Sequence, residues 1–228
     1  MFVLYLDAYH LGDPLFLTGL ARDAKARHDA GGSGFVVVHG YGEAGERAVE
    51  ALGLEPSRAS GALATPTPEA AEAAERAGRD LNRQVVHELS EAGVHSVRVA
   101  GTDRGLVRPD GTIGRVSWLA ELARQRAVPV VLAVAPDGES GVREVDPAAL
   151  AGRLSAEMGA EAVVAFGTPP EASGALTEAE AEAVLPDGEA LGRMGLSGVS
   201  VRVCRRSALR SPGIPGRSVR LGETRQSP

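Results

Sequence analysis

The chain has 228 residues, a formal net charge of −6, and 43% hydrophobic but only 4% aromatic residues. That length can bury a sizeable, mainly aliphatic core, and the acidic balance without a basic stripe argues against a nucleic-acid surface. One cysteine, Cys204, excludes a disulfide framework, and no stretch approaches the apolar length of a membrane span. The N-terminus enters a strand pattern without a basic leader region, so the expectation is a soluble, cytoplasmic protein. The five histidines (10, 28, 39, 87 and 95) show no metal-ligand spacing, so no metal site is expected. Lys25 is the only lysine among 24 basic residues, which limits any chemistry that requires an ammonium group.

In chain order, Phe2 to Leu6 read as a first strand ending at Asp7-Ala8-Tyr9-His10. Asp13-Pro14 opens a helix through Leu17, Leu20 and Ala24, which the Gly31-Gly32-Ser33-Gly34 run breaks. Residues 35–38 form a continuous apolar run, a strand buried on both faces, and Gly40-Tyr41-Gly42 leads into a helix over 43–52. Gly40 and Gly42 leave room for a ligand or another backbone at the carboxyl end of that strand, where open α/β sheets bind ligands. A tight turn occupied by the Tyr41 side chain is the alternative.

Residues 54–66 are turn-rich and suit a short hairpin. Thr67-Pro68-Glu69 begins the longest helix, with Ala70, Ala74, Ala77, Leu81, Val85 and Leu89 on one face, stopping at Gly93. Val94 to Ala100 is the next strand, and 101–114 a glycine-rich loop with Asp110-Gly111 as a turn. A helix over 116–126 leads into a strand from Val128 to Val134, and Pro136-Asp137-Gly138 turns a hairpin returning through Val142 to Val145. Asp146-Pro147 caps a helix over 148–158, followed by a strand from Ala162 to Phe166. Thr177 and Glu180 form a capping box, 186–198 is turn-like, and strands follow at Val199 to Cys204 and Val219 to Leu221. Strands alternating with helices predict a mostly parallel central sheet in a three-layer α/β/α sandwich.

The order of these pieces resembles the amino acid kinase superfamily, most closely its N-acetylglutamate kinase branch. Val36-Val37-Val38-His39-Gly40-Tyr41-Gly42 resembles that branch's V-V-V-H-G-G-G, and Leu52-Gly53-Leu54-Glu55-Pro56 its L-G-I-x-P. Ser60-Gly61-Ala62-Leu63-Ala64-Thr65 stands at its N-G-L-R-V-T. Ala77-Gly78-Arg79 with Asn82-Arg83-Gln84-Val85-Val86 resembles A-G-K-x-x-N-K-x-L-V. Gly101-Thr102-Asp103-Arg104-Gly105-Leu106 is similar to G-K-D-G-G-L, and Val145-Asp146-Pro147-Ala148 stands at V-N-A-D.

The resemblance implies the amino acid kinase fold as a single domain over 1–222, with an acyl-amino-acid lobe over about 1–127, a reduced nucleotide-type lobe over about 128–222, and a flexible tail at 223–228. It implies substrate-side positions at Gly40, Tyr41, Gly42, Leu63 and Asn82, and phosphate-side positions at Asp7, Tyr9, His10, Gly101 and Arg104. It also implies a dimer, with the Ala-rich helix over 68–92 as a contact face.

The departures gather where the family keeps its phosphotransfer groups. Asp7, Tyr9 and His10 stand where the resemblance implies a lysine and glycines, Leu63 replaces a substrate-gripping arginine, and Ala148 replaces the V-N-A-D aspartate. Gly167-Thr168-Pro169-Pro170 replaces a nucleotide segment, and no late lysine remains. Phosphoryl transfer depends on cations and aimed N–H groups, so these changes predict loss of turnover and no catalytic residues. The expected role is a regulatory, ligand-binding or partner subunit, taking an acylated amino acid or other small anion, as a homodimer or paired with an active relative.

The alternative is an active kinase using ATP with Mg on the carboxylate of an N-acylated acidic amino acid, with Arg79, Arg104 or Arg193 as substitute cations. A third reading is a structural module whose cleft is filled by Tyr9, Tyr41 and Leu63. Ser197 lacks the G-x-S-x-G spacing of a nucleophile elbow, which argues against a hydrolase.

Overall fold

The structure is a computed structural model that describes residues 1–138, 141–171, 174–195 and 198–221. Its elements run β1 (Phe2–Leu6), α1 (Ala8–Leu11), α2 (Pro14–Asp29), β2 (Phe35–His39), α3 (Gly42–Glu50), β3 (Arg58–Ala59), β4 (Ala62–Leu63) and α4 (Pro68–Glu91). Then come β5 (Ser96–Ala100), a 3₁₀ turn (Asp103–Gly105), α5 (Ser117–Arg124), β6 (Val128–Leu132), β7 (Val134–Asp137), β8 (Gly141–Glu144) and α6 (Pro147–Glu157). The chain closes with β9 (Val163–Phe166), β10 (Leu176–Thr177), α7 (Glu178–Glu182), α8 (Ala190–Gly195), β11 (Val201–Cys204), a 3₁₀ turn (Arg206–Arg210) and β12 (Arg217–Arg220).

Eight strands form one sheet in the order β10-β12-β11-β9-β1-β2-β6-β5. Every neighbouring pair is parallel except β11 with β12. The runs FVLYL of β1, FVVVH of β2 and VPVVL of β6 are buried along their whole length, as a strand covered on both faces requires. Alternation splits their side chains between two cores. Phe2, Leu4, Leu6, Val37 and Val130 meet Leu17 and Leu20 of α2 and Val85 and Leu89 of α4. Val3, Tyr5, Val36, Val38 and Val131 meet Leu119 of α5, Leu150 and Leu154 of α6 and Leu191 of α8. Helical layers therefore cover both faces of a mostly parallel sheet. The Phe2 and Phe35 rings, opposite one another in the β1–β2 register, stack at 5.4 Å.

The helix starts follow local capping chemistry. Asp13 accepts the Leu15 N–H at 2.9 Å ahead of Pro14, and Thr67 accepts the Ala70 N–H at 3.2 Å ahead of Pro68. Asp146 accepts the Ala148 N–H at 3.0 Å, and Thr177 with Glu180 forms the expected capping box.

Several sequence readings are corrected. The strand expected over 128–134 ends at Leu132, because Val134 already belongs to the β7–β8 hairpin. The stretch read as turn-like contains α8, whose Leu191 and Met194 are fully buried. Strands expected from Val94, Ala162 and Val199 begin at Ser96, Val163 and Val201. The readings for Ser197 and for the tail beyond Gly222 lie outside the described residues.

The buried stripe of α4 is also offset from the expected face. Gly78 and Asn82 lie at its centre, while Ala77 and Leu81 are only half-buried. Of the three buried alanines, Ala70 and Ala74 pack within the chain against Tyr41, Val49 and Leu63, so these two are not a free contact face. A β-carbon at Gly78 would collide with the Tyr41 ring and stand 3.2 Å from Leu132. Gly78→Ala gains about 1 kcal/mol of helix propensity but overpacks a rigid aromatic contact, which costs about 1–3 kcal/mol. The expected outcome is a net loss of stability in urea denaturation, with a midpoint below that of the wild type.

Candidate functional site

A cleft of about 550 Å³ opens over the carboxyl ends of β1 and β2. Since β2 and β9 flank β1 on opposite sides, the crevice lies where the chain's connections diverge. Its rim comes from α1, from the β3–β4 hairpin with Arg58, Ser60 and Gly61, and from the segment carrying Pro186, Asp187, Glu189 and Arg193. Gly40, Glu144 and Pro147 line it at the strand ends.

The deepest polar group there is Glu144, whose side chain is fully buried. One carboxylate oxygen accepts the Tyr41 N–H, and the other accepts the Leu63 N–H at 2.5 Å. Arg58 reaches that second oxygen at 3.4 Å. A β-carbon at Gly40 would collide with the carboxylate, so the room left by that glycine is taken by the chain's own acid. Burial lifts the Glu144 carboxyl above the ordinary range, more than the two N–H donors and Arg58 lower it.

Among the described residues, the cleft carries more negative than positive charge. Asp7, Glu43, Glu46, Glu144, Asp187 and Glu189 line it against Arg58 and Arg193. Both arginines are engaged. Arg58 contacts Glu46 at 2.8 Å as well as Glu144, and Arg193 contacts Asp146 at 3.0 Å and Asp187 at 2.9 Å. Burial raises the Asp146 carboxyl against the pull of Arg193.

The expected site residues divide between this cleft and other places. Asp7, Tyr9, Gly40 and Gly42 line it. Asp7 is 5% exposed, caps α1 by accepting the His10 N–H at 2.9 Å, and accepts the His10 ring Nδ1–H at 2.8 Å. The His10 ring packs against Phe16 at 4.2 Å and Phe166 at 5.8 Å. Tyr9 is 65% exposed at the rim, whereas the Tyr41 and Leu63 side chains are core residues beneath α3 and α4. The cleft is therefore open, not filled by these three side chains.

Asn82 lies in the seam between α4 and the sheet, donating to Val130 O and to His39 Nε2, both at 2.9 Å. His39 Nδ1 lies 2.8 Å from Gly40 O, and a carbonyl only accepts, so Nδ1 carries the proton and Nε2 receives the Asn82 amide. Gly101 and Arg104 stand at the end of β5, separated from β2 by β6. Arg104 lies 5.1 Å over the Trp118 ring, and Arg79 pairs with Glu75 on the exposed side of α4. Among the three arginines named as substitute cations, Arg193 alone lines the cleft.

Sequence reasoning missed Arg58 and Glu144. Arg58 lies opposite Leu63 in the β3–β4 register, a pairing that only the folded hairpin reveals. Glu144 had a legible signal, because strand alternation places it on the same face as Val142, which packs into the core beside Tyr41. Among the described residues, no group of histidine, cysteine or acidic side chains is arranged to hold a metal, and no helix is long and apolar enough to cross a membrane. Cys204 is buried and its thiol is pushed up to about 12, which marks it as inert.

Comparison with solved structures first defines the class. Isopentenyl phosphate kinase superposes with a TM-score of 0.62 at 16% identity, covering 96% of this chain and all of that one. Aspartate kinase from Synechocystis gives 0.68 at 17%, covering 96% of this chain and 40% of that one. The fold is that of the amino acid kinases.

Sequence comparison gives the branch. Acetylglutamate kinase from Roseiflexus castenholzii is 30% identical over 213 residues, covering 84% of this chain and 80% of its own length. The chain belongs to the acetylglutamate kinase family. Acetylglutamate kinase from Synechococcus sp. is 32% identical over 149 residues, 59% of this chain, and there the match spans only 50% of the relative's length. No family model matches the sequence.

Burial pulls His39 down to about 4. Its folded-state pKa lies below the unfolded value, so the unfolded chain binds the proton more tightly between about pH 4 and 6.5. This contribution to stability is complete above pH 6.5 and is lost on acidification at about 1.4 kcal/mol per pH unit. Urea denaturation across that window should show the slope in the wild type, and its difference from His39→Gln should isolate it. Equal slopes would exclude a buried neutral His39.

Proposed function

We propose that this chain is a member of the acetylglutamate kinase family that has lost phosphotransfer and serves as a small-molecule-binding, regulatory or partner subunit. The observation that carries this reading is the charge of the cleft, where carboxylates outnumber arginines and Arg58 and Arg193 are both held by acids. A like-charge pair 4 Å apart costs about 4 kcal/mol at an effective dielectric near 20, so a triphosphate entering this cleft is repelled where a kinase must attract it. The positions that the resemblance assigns to phosphotransfer support the same reading. Asp7 ends β1 as a helix cap, Ala148 is buried in the core, and Leu63 is buried under α4. The sequence resemblance adds a dimer; pairing with itself or with an active relative, and a cytoplasmic location, complete the reading.

A second reading is favoured by the relatives, which are acetylglutamate kinases, and by Arg193 at the cleft wall. In it the chain binds ATP with Mg and phosphorylates the carboxylate of an N-acylated acidic amino acid, with Arg193 released from Asp146 and Asp187 to meet phosphate. A coupled ADP-release assay with N-acetylglutamate and N-acetylaminoadipate separates the two. The first reading expects no turnover above the enzyme-free rate. Turnover that depends on the acyl amino acid and disappears in Arg193→Met establishes the second.

A further inference from the structure

We propose that Glu144 is an intramolecular ligand, its carboxylate filling a carboxylate-binding nest formed by the Tyr41 and Leu63 N–H groups and the Arg58 guanidinium. The proposal deepens the reading of the cleft given above and rests on it. It names the residue that closes the cleft to small monocarboxylates.

Three features support it. The two N–H donors come from separate elements, the turn before α3 and strand β4, and each meets a different oxygen of one carboxylate. Two convergent donors on one acid are how proteins recognise a carboxylate. The acid is fully buried yet belongs to the wall of an open cleft, and Gly40 has no side chain where the carboxylate sits. Glu144 is also the final residue of β8, a strand in a small separate hairpin, so the nest and its occupant are held by different parts of the fold. A free carboxylate arriving through the cleft meets donors already engaged and a negative charge in its place.

Truncating Glu144 to alanine removes the equivalent of one acetate and leaves the nest facing the cleft. Thermal unfolding is recorded for the wild type, Glu144→Gln and Glu144→Ala in sodium acetate and in sodium chloride at matched ionic strength. Glu144→Ala is expected to gain an acetate-specific rise of about 3–6 °C at tenfold excess over the dissociation constant, growing with the logarithm of acetate concentration beyond it. The wild type and Glu144→Gln, whose nest stays filled, are expected to respond equally to both salts.

A folded Glu144→Ala whose acetate and chloride curves coincide overturns the proposal. If the variant does not fold in chloride, its refolding yield decides: acetate-specific recovery supports the nest, and equal failure in both salts overturns it. Neither readout involves ATP, so kinase turnover in the wild type would remove the functional reading while leaving this test to stand or fall alone.

Discussion

The hydrogen bonds from the Tyr41 and Leu63 N–H groups to Glu144 tie together the pieces that shape the cleft. They join the turn leaving β2, the β3–β4 hairpin and the end of β8, three segments far apart in sequence. Buried backbone donors need acceptors, and a charged acceptor strengthens the bond while making its own burial more costly. The arrangement holds because both oxygens are engaged and Arg58 adds a nearby positive charge. Tyr41 supports it from below, its ring packed against Gly78 on α4 so that the turn cannot shift without disturbing the core.

From that constraint follows the electrostatic character of the site. Guanidinium groups are present at the cleft, but Arg58 is held by Glu46 and Glu144, and Arg193 by Asp146 and Asp187. An arginine fork engaged by carboxylates is poorly placed to meet a phosphate, because the ligand must first displace the acids paired with it. The scaffold belongs to the family, while the described lining of the cleft carries more carboxylates than arginines.

Much of the architecture was legible because it is written in local signals. Continuous apolar runs at β2 and β6 marked buried strands, whereas β1 read only as a strand and its burial on both faces came from the structure; Asp-Pro or Thr-Pro pairs marked the starts of α2, α4 and α6. The reading failed where packing overrides propensity. The short α8 contains Gly192 and Gly195 and reads as a turn, yet Leu191 and Met194 anchor it. The α4 stripe was offset because glycine and asparagine do not register as core-facing, although Gly78 makes room for Tyr41 and Asn82 bridges His39 to the Val130 carbonyl. The cleft's charged lining was the least legible part. Arg58 acquires meaning only when the hairpin register sets it opposite Leu63, which no local window records, whereas alternation with Val142 already marks Glu144 as core-facing.

Isothermal titration of Mg-ATP into the purified protein asks whether the cleft attracts a triphosphate, whether or not chemistry follows. With the cleft's arginines held by acids, no saturable heat is expected up to about 1 mM nucleotide, the upper end of ordinary enzyme KM values. Stoichiometric binding below that concentration, weakened by Arg193→Met, would contradict it and show the acidic cleft to be a nucleotide site after all.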